Sequence, residues 1–197
     1  MTQFSASAQL FLGVMASVLL LIAFVPYARS VASKAITPRP LTWIGWTLLM
    51  GASFASQVDE KGFAINQVVM CMSILGCLAI FIMSLKNGNI KKIDWVCLSL
   101  GLACAAIYII TKDAWLTTGF AIAADLIVAI PTISNAWNDP AAERSIAWKY
   151  GAAGYIITVV ACKGHDAIYV AYPLFLLCFN TLMIVLSNRE KPVKANA

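Results

Sequence analysis

Seven long apolar runs, separated by brief charged or turn-forming segments, fill almost the whole 197-residue chain. They extend roughly from Ala8 to Ala28, Leu41 to Gln57, Phe63 to Leu85, Ile93 to Thr111, Ala114 to Ala136, Ser145 to Cys162 and Asp166 to Ser187. A spanning helix needs about 20 apolar residues, and runs this long without alternation do not read as barrel strands. The expected fold is therefore all-α and integral to a membrane, with seven transmembrane helices and the lipid bilayer as first partner. Charged residues make up only 12% of the chain and hydrophobic ones 61%, whereas a soluble domain carries about 25% charge. That balance excludes a soluble, disordered or nucleic-acid-binding protein, and seven spans leave no room for a folded soluble domain.

The links are short, with Val58–Gly62, Lys86–Lys92, Lys112–Asp113 and Lys163–His165 each only a few residues long, so consecutive spans are expected to be antiparallel neighbours. Positive charge marks the cytoplasmic side of a membrane protein. With the N-terminus outside, the inner segments hold Arg29, Lys34, Arg39, Lys86, Lys91, Lys92, Arg144, Lys149, Arg189, Lys191 and Lys194. Only Lys61, Lys112 and Lys163 then fall outside, one on each outer loop. The orientation read from this split is N-out and C-in. Met1 to Ala8 carries no basic start and no small-residue cleavage site, so no removable signal peptide is expected.

Spans one and five run in the same direction, and both approach their inner end at a proline, in LIAFVPYARS and LIVAIPTISN. A shift of 105 residues superposes Leu21 on Leu126, Ile22 on Ile127, Pro26 on Pro131, Arg39 on Arg144 and Trp43 on Trp148. A repeat of this kind makes the chain one transmembrane domain. Residues 8–85 are a first three-helix repeat, 93–111 a linker helix, 114–187 a second three-helix repeat and 188–197 a cytoplasmic tail. An odd linker span gives the two triplets the same orientation, related by an axis along the membrane normal, with a site expected at their interface near mid-membrane.

A helix ending at a proline, followed by a short polar loop and a tryptophan-bearing helix, resembles the PQ-loop repeat of the SWEET and related transporters. The 3+1+3 helix count and the N-out, C-in topology are similar to that group too. As topology the resemblance covers nearly the whole chain; as motif it covers the proline-to-tryptophan segment of each half. The residue after each proline is Tyr27 or Thr132 where the motif has Gln, and Pro38, Pro40 and Pro140 lie in loops rather than inside the second and sixth helices. The resemblance implies a divergent bacterial branch, a multi-pass place in the inner membrane, and transport of a small polar solute. It also implies a substrate site lined by asparagines and a tryptophan.

Asp125 stands near the middle of the fifth span, in AIAADLIVAIP, with no charged residue within ten positions. A carboxylate at that depth costs about 2.5–3.5 kcal/mol on insertion scales and marks a functional hypothesis by default. Substrate binding and proton coupling are its two functional readings; a protonated carboxyl bonded to a neighbouring helix is the structural one. Asn180 has a suitable depth in the seventh span for the implied site, while Asn66 lies near the outer end of the third and reads as interhelical glue. Pro26 and Pro131 each free a helical carbonyl, those of Ile22 and Ile127, and could act as gate hinges or as static kinks. Pro173 reads as a kink alone. Trp43 and Trp148 begin the second and sixth spans, either as interfacial anchors or as gate walls. Trp46, one turn further, is a candidate stacking wall.

None of the six cysteines forms a CxxC pair, so neither a thiol oxidoreductase nor a metal site is expected. His165, the single histidine, lies beside Asp166 on an outer loop and reads as a surface residue. A retinal protein needs a lysine in the seventh span, and Ala167 to Ser187 has none. With no phosphate loop, nucleophile triad or paired intramembrane carboxylate, the chain is not expected to be an enzyme or to need a cofactor. Two classes stay open: a small-molecule transporter or facilitator, and a non-transporting seven-helix receptor or accessory subunit. Both leave room for a homo-oligomer.

Overall fold

The computed structural model describes residues 5–61, 65–110, 114–162 and 167–190. Lys112, Lys163, His165, Asp166, Lys191 and Lys194 lie outside the described residues, as do the side chains of Lys61 and Asn66. The chain forms α1 (Ala6–Ala32), α2 (Pro40–Lys61), α3 (Ile65–Ser84), α4 (Lys92–Ile110), α5 (Ala114–Asn138), α6 (Ala147–Ala161) and α7 (Ala167–Asn188). A single 3₁₀ turn, Pro140–Glu143, joins α5 to α6, and the described residues contain no strand. Each apolar run is thus a helix. Leu10–Ala32, Thr118–Asn138 and Val170–Asn188 are long and apolar enough to cross a membrane, and Cys71–Ser84 is a shorter apolar helix.

Local chemistry sets the helix limits. The Ser5 hydroxyl accepts from the Ala8 amide at 3.3 Å and so caps α1. At the other end Lys34 takes φ 58°, and the Lys34 and Ala35 amides donate to the carbonyls of Val31 and Ser30 at 3.0 and 2.9 Å. That is a left-handed C-terminal stop, a position usually given to glycine. Pro40 then opens α2, where its missing amide hydrogen costs nothing. Pro26 and Pro131 interrupt neither α1 nor α5. Beside the second of them, the Thr42 hydroxyl of α2 donates to the Val128 carbonyl of α5 at 3.1 Å, inside the protein.

The surface is apolar and the interior partly polar. Ile110 is 77% exposed, Phe11 63% and Val185 61%, while Arg39, Asp94, Asp125, Glu143 and Asn180 are all buried. In water this arrangement would expose far more contiguous apolar surface than a soluble monomer tolerates.

Helix α1 packs on α3 and α6, while α2 packs on α3, α4 and α5. Helix α7 lies against α5 and α6, and among the described residues α4 packs on α2 and α5 alone. With α4 set aside, the remaining helix pairs match two by two: α1–α3 with α5–α7, α2–α3 with α6–α7, and α1–α6 with α5–α2. Where α4 docks, Val128 of α5 sits between Gly45 of α2 and Gly101 of α4, and a Cβ on either glycine would strike its methyl groups. Small residues that admit a neighbour this closely are the usual means of joining helices in lipid.

Candidate functional site

A cavity of about 180 Å³ lies on the seam between α1–α2–α3 and α5–α6–α7, and none of its described lining residues comes from α4. The wall positions correspond across the seam. At the 105-residue shift, Leu20 faces the cavity with Asp125, Phe24 with Ala129, Trp43 with Trp148, Trp46 with Gly151 and Met50 with Tyr155. For α3 and α7 the shift is 103, which matches Ser73 with Leu176 and Cys77 with Asn180. The same shift pairs Ile80 with Met183 and Ser84 with Ser187, all four fully buried. Both serines bond the carbonyl three residues back, those of Phe81 and Ile184.

The cavity floor is aromatic. Trp43 of α2 and Trp148 of α6 both pack on Tyr27 of α1, with centroids 4.7 and 5.6 Å away. Trp43 contacts Trp46 at 5.1 Å, Trp46 contacts Phe179 at 5.7 Å, and Phe179 returns to Trp148 at 5.8 Å. Five rings therefore close a cycle of tilted and edge-to-face contacts, the geometry that ring quadrupoles favour. Asp125 stands seven residues, or about 10 Å of helix rise, before Thr132, the counterpart of Tyr27. Buried there, it accepts a short hydrogen bond from the Tyr172 hydroxyl of α7. Asn180 donates its Nδ2 to the Leu176 carbonyl of its own helix at 2.8 Å. Its Oδ1 lies against Gly151, where any Cβ would collide with it.

Beneath the rings a polar layer closes the end of the bundle where α1 finishes. The Tyr27 hydroxyl donates to Glu143 Oε2 at 2.7 Å, and Asn135 Nδ2 donates to Glu143 Oε1 and to the Thr37 carbonyl, both at 2.9 Å. Trp148 Nε1 donates to the Glu143 carbonyl at 2.9 Å, and the Thr37 amide donates to the Ala142 carbonyl at 2.9 Å. Arg39 pairs with Asp94 at 3.4 Å and donates to the Asn89 carbonyl at 2.9 Å. Arg144, its counterpart, donates to the Ser187 carbonyl at 3.0 Å. Arg39 so ties the start of α2 to the α3–α4 loop and to the start of α4, and Arg144 ties the approach to α6 to the end of α7. Burial pushes the Glu143 carboxyl up to about 7, against the opposing pull of Tyr27, Asn135 and Arg39.

Towards the end where α1 begins, a wider space of about 690 Å³ is lined by α1, α6 and α7 and shares Leu20, Tyr155, Tyr172 and Leu176 with the cavity. This second space, a vestibule, thus shares part of its wall with the site, and rings and hydrogen bonds close the site on the other side.

Asp125, Asn180, Trp46, Trp43 and Trp148 all line the one cavity. Trp43 and Trp148 are buried among rings rather than set on the surface. Pro26 and Pro131 stay outside the lining, each placing the next residue, Tyr27 or Thr132, in the buried interior. Sequence reasoning does not single out Tyr27, Tyr172, Phe179, Cys77 or Glu143. Only Tyr27 carries a signal, as the residue after the repeated proline. No known family, curated protein or solved structure matches the chain.

Proposed function

We propose that the chain is a small-molecule transporter or facilitator of seven spans, N-out and C-in. Two parallel three-helix units are joined by α4, and the substrate site lies in the seam cavity. One observation carries this reading: matched positions of both triplets face a single cavity, at mid-depth on α5, with a vestibule at one end and a seal at the other. That arrangement suits alternating access, in which two units rock around a fixed site. The PQ-loop and SWEET-like resemblance and a multi-pass place in a bacterial inner membrane fit the same reading. Asp125 and Asn180 bind the solute, Trp46 forms a stacking wall, and Trp43 with Trp148 forms the gate beneath it. Pro26 and Pro131 are the hinges.

Purified protein in proteoliposomes tests this directly. Solute flux is expected, reduced at least tenfold by Asp125→Asn and by Asn180→Ala while both variants elute and melt as the parent does. Parental flux in both variants would remove the site assignment. Absence of flux across a broad solute panel, with a stable copurifying protein, would instead identify an accessory subunit.

A further inference from the structure

The walls of the cavity discriminate between classes of solute. Among the described lining residues Asp125 is the one charged side chain, and none is a lysine, arginine or histidine that could meet an anion. The protein consumes lining donors internally: the Tyr172 hydroxyl on Asp125, the Tyr27 hydroxyl on Glu143, the Asn180 amide on Leu176 and the Trp148 indole on the Glu143 carbonyl. What these groups keep is acceptor capacity, in the second carboxylate oxygen, the phenolic oxygens and the Asn180 carbonyl. The Trp43 and Trp46 indoles, the Tyr155 hydroxyl and the second N–H of Asn180 stay in the same wall as donors, so the selection by charge rests on the Asp125 carboxylate. The closed cycle of five rings at the floor adds a surface for a flat apolar body, and aromatic faces attract cations.

Resting on the transporter reading of the same cavity, we propose that its solute is a small organic monocation, an ammonium joined to a flat or aromatic body. The ammonium meets Asp125, and the body stacks among Trp43, Trp46, Trp148 and Phe179. A neutral polyol is disfavoured because the apolar walls leave most of its hydroxyls unpaired.

The test uses matched probes on the purified full chain in detergent, followed by tryptophan fluorescence. Tyramine, tyrosol and 3-(4-hydroxyphenyl)propionate share a ring and differ at the far end as cation, neutral alcohol and anion. Tyramine is expected to bind at least tenfold more tightly than tyrosol, and the anion weakest of the three. Asp125→Asn should reduce the tyramine advantage to under twofold while tyrosol still binds, which also shows that the variant is folded. Trp46→Ala should weaken tyramine and tyrosol alike. Equal binding of the alcohol and the amine by the parent protein would overturn the proposal, as would an unchanged amine preference in Asp125→Asn. The transporter reading fails separately. Selective amine binding without flux would overturn transport and keep the cation site, whereas flux of neutral solutes that amines do not inhibit would do the reverse.

Discussion

Glu143 is fully buried in a loop turn, with a tyrosine and an asparagine on its two oxygens and Arg39 as the cation acting on it. Because burial raises its carboxyl from near 4.5 to about 7, the folded protein keeps a proton that the unfolded chain releases. The resulting stabilisation is complete below the unfolded value and is lost as pH rises through about 7. The shift corresponds to about 3 kcal/mol. Thermal melting in detergent should therefore fall between about pH 5 and pH 8. In Glu143→Gln the slope should shrink, and the variant should be the more stable protein at the alkaline end. An unaltered slope would show that another group titrates. Little at this scale was legible beforehand. Asp125 stood out because a charge inside an apolar run needs a reason, but Glu143 lies in a polar loop beside Asp139 and Arg144. Its burial depends on residues 37–39 closing over 139–144, and no local pattern encodes that contact.

Helix α4 is held at its start by the buried Arg39–Asp94 pair and further along by shape. Val128 fills a gap left jointly by Gly45 and Gly101, from three different helices. Gly101→Ala should therefore cost about 1–3 kcal/mol, the usual penalty of overpacking, and Val128→Ala should recover part of it in a double-mutant cycle. Chemical unfolding of the single and double variants would measure the coupling, and additive losses would mean the three residues do not meet as described. The existence of the helices was readable because an apolar run of this length has no other way to bond its backbone in lipid. The register between α3 and α7 was not. The shift falls from 105 to 103 there, so a fixed offset cannot pair Cys77 with Asn180. Asn66, the other asparagine considered for that role, is eleven positions away in sequence.

At the scale of the whole molecule, two cysteines report on the two spaces. Cys162 lines the vestibule and is partly exposed, whereas Cys77 is buried in the cavity wall at the level of Asn180. A membrane-impermeant thiol reagent applied from the vestibule side should therefore modify Cys162 well before Cys77, by at least tenfold in rate, as read by peptide mass spectrometry. Equal rates would mean that the vestibule and the cavity open together. If the bundle rocks, solute should change the Cys162 rate, because α6 and α7 line both spaces.

The correspondence across the seam is close in position and uneven in chemistry. Trp46 corresponds to Gly151, Leu20 to Asp125 and Cys77 to Asn180, so at each of these places one half offers bulk or grease where the other offers room or polarity. Two identical halves would present a guest with two equivalent poses, head-left and head-right, and would need a guest as symmetric as themselves. Where the matched lining positions differ in size and polarity, the two poses are no longer equivalent. A lopsided guest, with one polar pole and one flat pole, is the kind that such a chamber can tell from its own mirror pose.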